Sequence, residues 1–159
     1  MPKTYGGFKL PRISKPTLFK QPLGKAFAAI QREQIPAWRL PPVDWVGSEA
    51  EWAIAWALDQ KRIEYAFQAD MMGGRGMRGG VVIDFLLPEY TLCIRVQGIH
   101  WHYNQGSGVV NADNMQKAAL HAQGLTVIDI DEDHALRDPA YYVAEALMGR
   151  DHSMANRGV

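Results

Sequence analysis

The sequence predicts an α/β fold in which a mixed β-sheet is flanked by helices. Three observations support this class. A capping box, Ser48-Glu49-Ala50-Glu51, opens a segment with helical spacing, apolar strand-like segments follow it, and a second helical segment ends at Gly124 before another apolar strand. The resulting order of helix, three strands, helix, strand and helix is typical of a mixed sheet covered by helices.

Each element can be assigned in chain order. The helical spacing of apolar residues predicts a helix over Glu49–Lys61, and alternation predicts a strand over Ile63–Ala69. Two apolar strands joined by a short turn follow, and then a helix that stops at a glycine, a buried strand and a last helix. These later segments are Val81–Leu87, Thr91–Val96, Val110–Gln123, Leu125–Ile130 and Pro139–Met148.

The composition is that of an ordinary globular domain. Of the 159 residues, 47% are hydrophobic and 21% are charged, as is common for one folded domain. No apolar run approaches the roughly 18–20 residues that a membrane span needs. Cys93 is the single cysteine, which excludes an intrachain disulfide and a zinc site built from several cysteines. No secretion signal is recognisable at the N-terminus, so a cytoplasmic location is expected.

The net charge is zero, but it is unevenly distributed. Residues 1–45 contain eight lysines and arginines against two acids, which gives +6 there and −6 over the remainder. We therefore predict a basic, proline-rich N-terminal arm over residues 1–46, a compact domain over 47–150 and a tail over 151–159. Such an arm suits an anionic partner such as nucleic acid, and docking on its own acidic domain or on another protein is the open alternative.

The segment from Val81 to His102 concentrates the chemically informative residues. Asp84 lies in an otherwise apolar strand, where an acid needs a partner, a proton or a metal. Arg95 and Gln97 share one face of the next strand, so pairing with aligned faces would bring both to Asp84. A buried ion pair between Asp84 and Arg95 is the structural alternative to a metal site.

This segment resembles the PD-(D/E)xK nuclease superfamily. DFLLPEYTLCIRVQGIHWH is similar to the corresponding stretch of very-short-patch repair endonucleases and of related phage and homing endonucleases. DNMQKAALHAQGLTVIDIDE is similar to their next helix, glycine and strand. The resemblance covers about residues 47–134. It implies a restriction-endonuclease-like fold and an Mg²⁺-dependent (or Mn²⁺-dependent) DNA endonuclease, located in the cytoplasm of a bacterium or of a phage-infected host cell.

The resemblance also implies a role for each residue of the site. Asp84 and the Val96 carbonyl would bind the metal, since magnesium favours oxygen ligands and retained waters. Glu49 would hold a metal-bound water from the first helix. Gln97 stands where relatives have lysine or histidine and would orient water, because an amide cannot take up a proton as they do. His102 would assist the attacking water or the leaving group.

Further charged residues have both a functional and a structural interpretation. Arg75 and Arg78, on a glycine-rich loop, and Lys117, on a helix, are predicted to contact DNA phosphates, and exposed solvated positions are the alternative. The acidic cluster of Asp129, Asp131, Glu132 and Asp133, at the C-terminal end of a strand, is predicted to be a solvated loop, and a site for a second cation is the alternative.

Arg95 stands where many members of the superfamily have an acid, and a guanidinium cannot bind a cation. The alternative function is therefore a nuclease fold that no longer cuts. Such a protein would serve in DNA binding or in the assembly of a larger particle, for example a phage particle.

Overall fold

The structure is a computed structural model that describes residues 35–71, 80–98 and 107–154. Contacts divide the chain into two units, Met1–Ile35 and Pro36–Val159, and the elements described below belong to the second. Most of the predicted basic arm lies outside the described residues, as do Arg75, Arg78 and His102.

Four α-helices are found within the described residues. They are α1 (Glu49–Gln60), α2 (Ser107–Ala122), α3 (Glu132–Arg137) and α4 (Pro139–Leu147). The predicted capping box starts α1: the Ser48 hydroxyl accepts the Glu51 N–H at 3.1 Å, and the Glu51 carboxylate accepts the Ser48 N–H at 3.0 Å. None of these helices is long and apolar enough to cross a membrane.

A four-stranded mixed sheet lies between the helices. Its strands are β1 (Ala66–Met71), β2 (Val81–Leu87), β3 (Leu92–Gln97) and β4 (Thr126–Asp131), and they lie side by side in that order. The pairs β1–β2 and β2–β3 are antiparallel, whereas β3 and β4 are parallel. A parallel pair requires a crossover, and α2 lies in that connection. The predicted mixed sheet with flanking helices is confirmed.

The two faces of the sheet pack against different helices. One face forms the larger core cluster with α1, α3 and α4, and its central residues include Phe85, Ile94 and Ile128. The other face contacts α2 through a smaller cluster. The buried members of that cluster are Val81, Ile83, Cys93, Leu120 and Val127.

Strand β2 changes the face that it presents at Asp84. Simple alternation would put Ile83 and Phe85 on the same face, yet Ile83 belongs to the α2-side cluster and Phe85 to the larger core. On the neighbouring strand β1, Gln68 has a left-handed backbone with φ of 51°. Phe67 pairs with Phe85 and Ala69 pairs with Ile83, but Gln68 between them has no paired residue in β2. The sheet is therefore irregular at the position of the acid.

The segment before α1 packs on that helix through tryptophans. The Trp52 indole donates to the Ala37 carbonyl at 3.2 Å. The ring centroids of Trp38 and Trp56 lie 5.2 Å apart, and those of Trp45 and Trp52 lie 5.3 Å apart. Residues 36–46, which the sequence predicts to be part of the arm, thus contact the domain that follows them.

Candidate active site

Asp84 lies where β2 and β3 cease to pair. The recorded pairs between these strands end at Phe85↔Ile94, one residue short of Asp84. Beyond this pair, the Val96 N–H donates to a side chain and not to the backbone of β2: Asp84 Oδ2 accepts it at 2.7 Å. Among the described residues no hydrogen bond reaches its other oxygen, Oδ1. Asp84 and Val96, which are both predicted metal ligands, are therefore neighbours.

The environment of Asp84 disfavours its negative charge. Burial raises the pKa of Asp84 to about 6, although the hydrogen bond from Val96 and the positive charge of Arg95 act in the opposite direction. The negative charges of Glu51 and Asp129 add to the rise. A carboxylate in this setting is stabilised by a proton or by a cation.

Arg95 forms ion pairs with Asp113 and Asp129 and not with Asp84. Its Nε and Nη2 donate to Asp129 at 2.7 and 3.0 Å, and its Nη1 and Nη2 donate to Asp113 at 2.7 and 3.4 Å. Burial would lower the pKa of Arg95, but these two carboxylates raise it above its usual value. An ion pair between Asp84 and Arg95, the structural alternative, is not found among the contacts of the described residues.

Asp129 is the centre of a polar network between β3, β4 and α2. In addition to Arg95, it accepts the Gln97 side-chain N–H at 3.1 Å, and it lies 2.5 Å from the Lys117 ammonium. Burial would raise the pKa of Asp129, but the hydrogen bonds and charges of Arg95 and Lys117 hold it below its usual value. The members of this Asp129 network are Arg95, Gln97, Asp113, Lys117 and Asp129.

The acid of α1 that acts on Asp84 is Glu51. Its carboxylate forms the capping box with Ser48 and lies close to the Phe67 ring, since a Cβ built on Gly47 would meet both Glu51 Oε2 and Phe67 Cζ. Phe67 lies opposite Phe85, the neighbour of Asp84 in the chain. The sequence identifies Glu51 only as part of the capping box. The structure adds that its negative charge raises the pKa of Asp84.

Glu49 lies at the start of α1, where its side chain is 44% exposed and contacts Arg39 at 3.3 Å. Its predicted part in holding water stays a prediction, and so do the roles of Arg75, Arg78 and His102, which are outside the described residues. Lys117 is engaged with Asp129, and its contact with DNA likewise stays a prediction.

The acidic cluster from Asp129 to Asp133 is not a solvated loop, so that prediction was wrong. Asp129 and Asp131 are each 1% exposed and lie within β4, and the chain then continues directly as α3. Ligand atoms of Asp131, Asp133 and His134 lie within 4.8 Å of one another. Asp131 also has a structural role, because its Oδ2 accepts the Met154 N–H at 2.9 Å and so connects the C-terminal residues to β4.

Comparisons with known proteins find a structural similarity but no match to a family model or a curated protein. No protein-family model matches the chain, and no curated protein matches it. Among solved structures, the catalytic domain of the homing endonuclease I-Bth0305I is similar, with a TM-score of 0.44 and 22% identity over 65% of this chain and 90% of that domain.

Proposed function

We propose that the protein is a DNA endonuclease of the PD-(D/E)xK type, which hydrolyses phosphodiester bonds with Mg²⁺ or Mn²⁺ held at Asp84. The observation that carries the proposal is the position of this acid. It lies where two strands separate, it is hydrogen-bonded to the Val96 backbone through one oxygen, and no described residue hydrogen-bonds the other. A buried acid with only a structural role would be expected to pair with a cationic side chain. Arg95, on the neighbouring strand, instead pairs with Asp129 and Asp113.

The residues at this position fit a magnesium ion. Magnesium is commonly bound through one or two carboxylates, and water molecules complete its shell. Asp84 would supply one oxygen and the Val96 carbonyl a second, while Glu51 contributes negative charge from α1. When bound, the metal would supply an activated water and balance the negative charge that develops on the phosphate.

Arg95 is compatible with this proposal because its charge is already balanced. Arg95 and Lys117 carry two positive charges, and Asp113 and Asp129 carry two negative ones. The Asp129 network is thus neutral as a whole, and the electrostatic preference of Asp84 for a cation is retained. A guanidinium in place of a second acid therefore does not by itself repel a cation at Asp84.

The remaining roles are part of the same proposal. Gln97 would orient water, and His102 would assist the attacking water or the leaving group. Phosphate contacts would come from Arg75, Arg78 and the basic arm, which suit a polyanionic substrate. The expected location is the cytoplasm of a bacterium or of a phage-infected cell.

A nicking assay on supercoiled plasmid with Mg²⁺ or Mn²⁺ tests this function. We expect wild type to convert the plasmid to open circles, and Asp84→Asn to lose at least about 100-fold in rate, because a neutral amide binds the metal far less well. Asparagine keeps an oxygen that can accept the Val96 N–H. Asp44→Asn, at an exposed acid before α1, is the matched control and should cut like wild type.

Equal cutting by Asp84→Asn and wild type would overturn the assignment and indicate a contaminating nuclease. If wild type binds DNA in a gel-shift assay but cuts with neither metal, the noncutting nuclease fold becomes the better description.

A further inference from the structure

We infer that Asp129 is a positioning residue that fixes the side-chain amide of Gln97, so that the amide oxygen, and not the NH₂ group, is left to accept a hydrogen bond or to bind a cation. The inference rests on the proposed function and deepens it, because it assigns Gln97 the chemistry of an oxygen ligand or water acceptor. Asp129 is not one of the residues that the sequence points to for the site.

The orientation of the amide follows from the chemistry of its partner. An amide side chain has a donor end and an acceptor end, whereas an ionised carboxylate can only accept hydrogen bonds. Gln97 must therefore turn its Nε2 toward Asp129, and the contact is 3.1 Å long. The reverse orientation would place two acceptor oxygens against each other in a buried position, which is costly.

Asp129 is itself firmly held, so it can serve as a fixed reference. Arg95 donates to both of its oxygens, Lys117 lies against Oδ2, and its backbone N–H donates to Asp151 at 3.0 Å. Its exposed fraction is 1%, and that of Gln97 is 7%. Charge-assisted hydrogen bonds in such a poorly hydrated position are stronger than at the surface.

The oriented oxygen would act next to the proposed metal ligands. Gln97 follows Val96 in β3, and Val96 donates its N–H to Asp84. A neutral amide oxygen is a common ligand of hard divalent cations, and it can equally accept a hydrogen bond from a bound water. Asp129 would thus make a glutamine useful at a position where a proton-transferring side chain is absent.

The first test reads the amide directly in the full chain by NMR. The Gln97 side-chain ¹⁵N–¹H signals can be identified by their absence in Gln97→Met. One Nε2 proton should exchange with water at least about 10-fold more slowly than the protons of exposed Gln60, since it is hydrogen-bonded and buried. This protection should disappear in Asp129→Ala. Gln97 protons that exchange as fast as those of Gln60 in wild type would overturn the inference.

The second test exchanges the two side chains. Gln97→Glu sets a carboxylate against Asp129, and we expect at least about a 10-fold loss in nicking rate with Mn²⁺. In the double variant Gln97→Glu/Asp129→Asn, the amide at position 129 can donate a hydrogen bond to the carboxylate at position 97. That carboxylate then has its other oxygen free to accept a hydrogen bond or to bind a cation. The nicking rate of the double variant should therefore be at least that of Asp129→Asn. A double variant slower than both single variants would contradict a positioning role.

Failure of the inference can be distinguished from failure of the proposed function. If wild type does not cut, the proposed function is wrong, and the proton exchange of Gln97 still decides the amide orientation. If wild type cuts while the Gln97 protons are unprotected, the proposed function stands and the inference is overturned.

Discussion

At the scale of single residues, Asp84 shows how an unfavourable position can indicate a function. Burial raises the pKa of Asp84 to about 6, which means that the ionised carboxylate is less favourable here than in water. A group whose folded-state pKa is raised contributes stability below its unfolded-state pKa, and that contribution is lost as the pH rises through the folded-state value. Without a metal, the contribution of Asp84 to the stability of wild type should therefore fall between about pH 4 and pH 6.

Asp84→Asn should remove this loss. The asparagine oxygen can still accept the Val96 N–H, but the charge is gone. In metal-free buffer at pH 7.5 we expect the variant to have a free energy of unfolding about 2–3 kcal/mol higher than wild type, and the difference should nearly vanish at pH 4. Urea unfolding at the two pH values measures it. A difference that does not depend on pH would show that the Asp84 carboxylate is well solvated.

The sequence identified Asp84 and Gln97, but not the partners that define their chemistry. Asp84 was predictable because an acid interrupts an apolar strand, which is a local signal. Arg95 was recognised as a competing cation, yet its actual partners, Asp113 and Asp129, are 18 and 34 residues away along the chain. Such pairing depends on how α2 lies on the sheet, and no periodicity in the sequence specifies that.

At the scale of elements, the Asp129 network fastens α2 to the sheet at one end, whereas apolar contacts do so at the other. The apolar end holds Leu120 against Cys93 and Val127. The polar end holds Asp113 and Lys117 of α2 against the neighbouring strands. Removing one member of a buried ion pair leaves its partners uncompensated, so the network should be sensitive to substitution.

Arg95→Met should therefore destabilise the protein strongly. Methionine keeps much of the apolar stem, while Asp113 and Asp129 lose one of the two cations that they share and keep only Lys117. We expect a loss of roughly 3–5 kcal/mol in urea unfolding at neutral pH. Arg39→Met is the matched control because its pair with Glu49 is about half exposed, so its loss should be below about 1 kcal/mol. Similar losses in both variants would mean that the Asp129 network adds no more than a surface ion pair does.

The elements themselves were largely predictable, and the errors have physical causes. The capping box and Gly124, whose φ is 80°, marked the start of α1 and the turn after α2. Strand β1 runs over Ala66–Met71 and not from Ile63, because Ile63 packs in the core directly after α1. Helix α3 was missed because its acidic first turn looked like a loop.

At the scale of the whole molecule, the C-terminal residues cover the edge of the described sheet. Strand β4 is the last strand in the order, and an edge strand offers unpaired backbone groups to other chains. The Asp151 carboxylate accepts the Asp129 N–H at 3.0 Å, and the Asp131 carboxylate accepts the Met154 N–H at 2.9 Å. The predicted tail thus begins as a set of contacts along β4.

The same segment is also tied to α4. Arg150 and His152 both contact the Glu145 carboxylate, at 2.5 and 2.8 Å, and their hydrogen bonds hold the pKa of Glu145 at about 2. The segment therefore connects the last helix to the edge strand. Through the Asp129 backbone it also reaches the residue that holds Arg95 and Gln97.

Shortening the chain after Gly149 should expose this edge. The Asp129 amide loses its acceptor, so we expect its hydrogen exchange to become at least about 10-fold faster, and light scattering should detect dimers or larger species formed through the uncovered strand. A chain that ends after Met154 retains both contacts with β4 and should behave like the full-length protein. If both shortened chains stay monomeric with the same exchange at Asp129, then the C-terminal residues do not protect the edge.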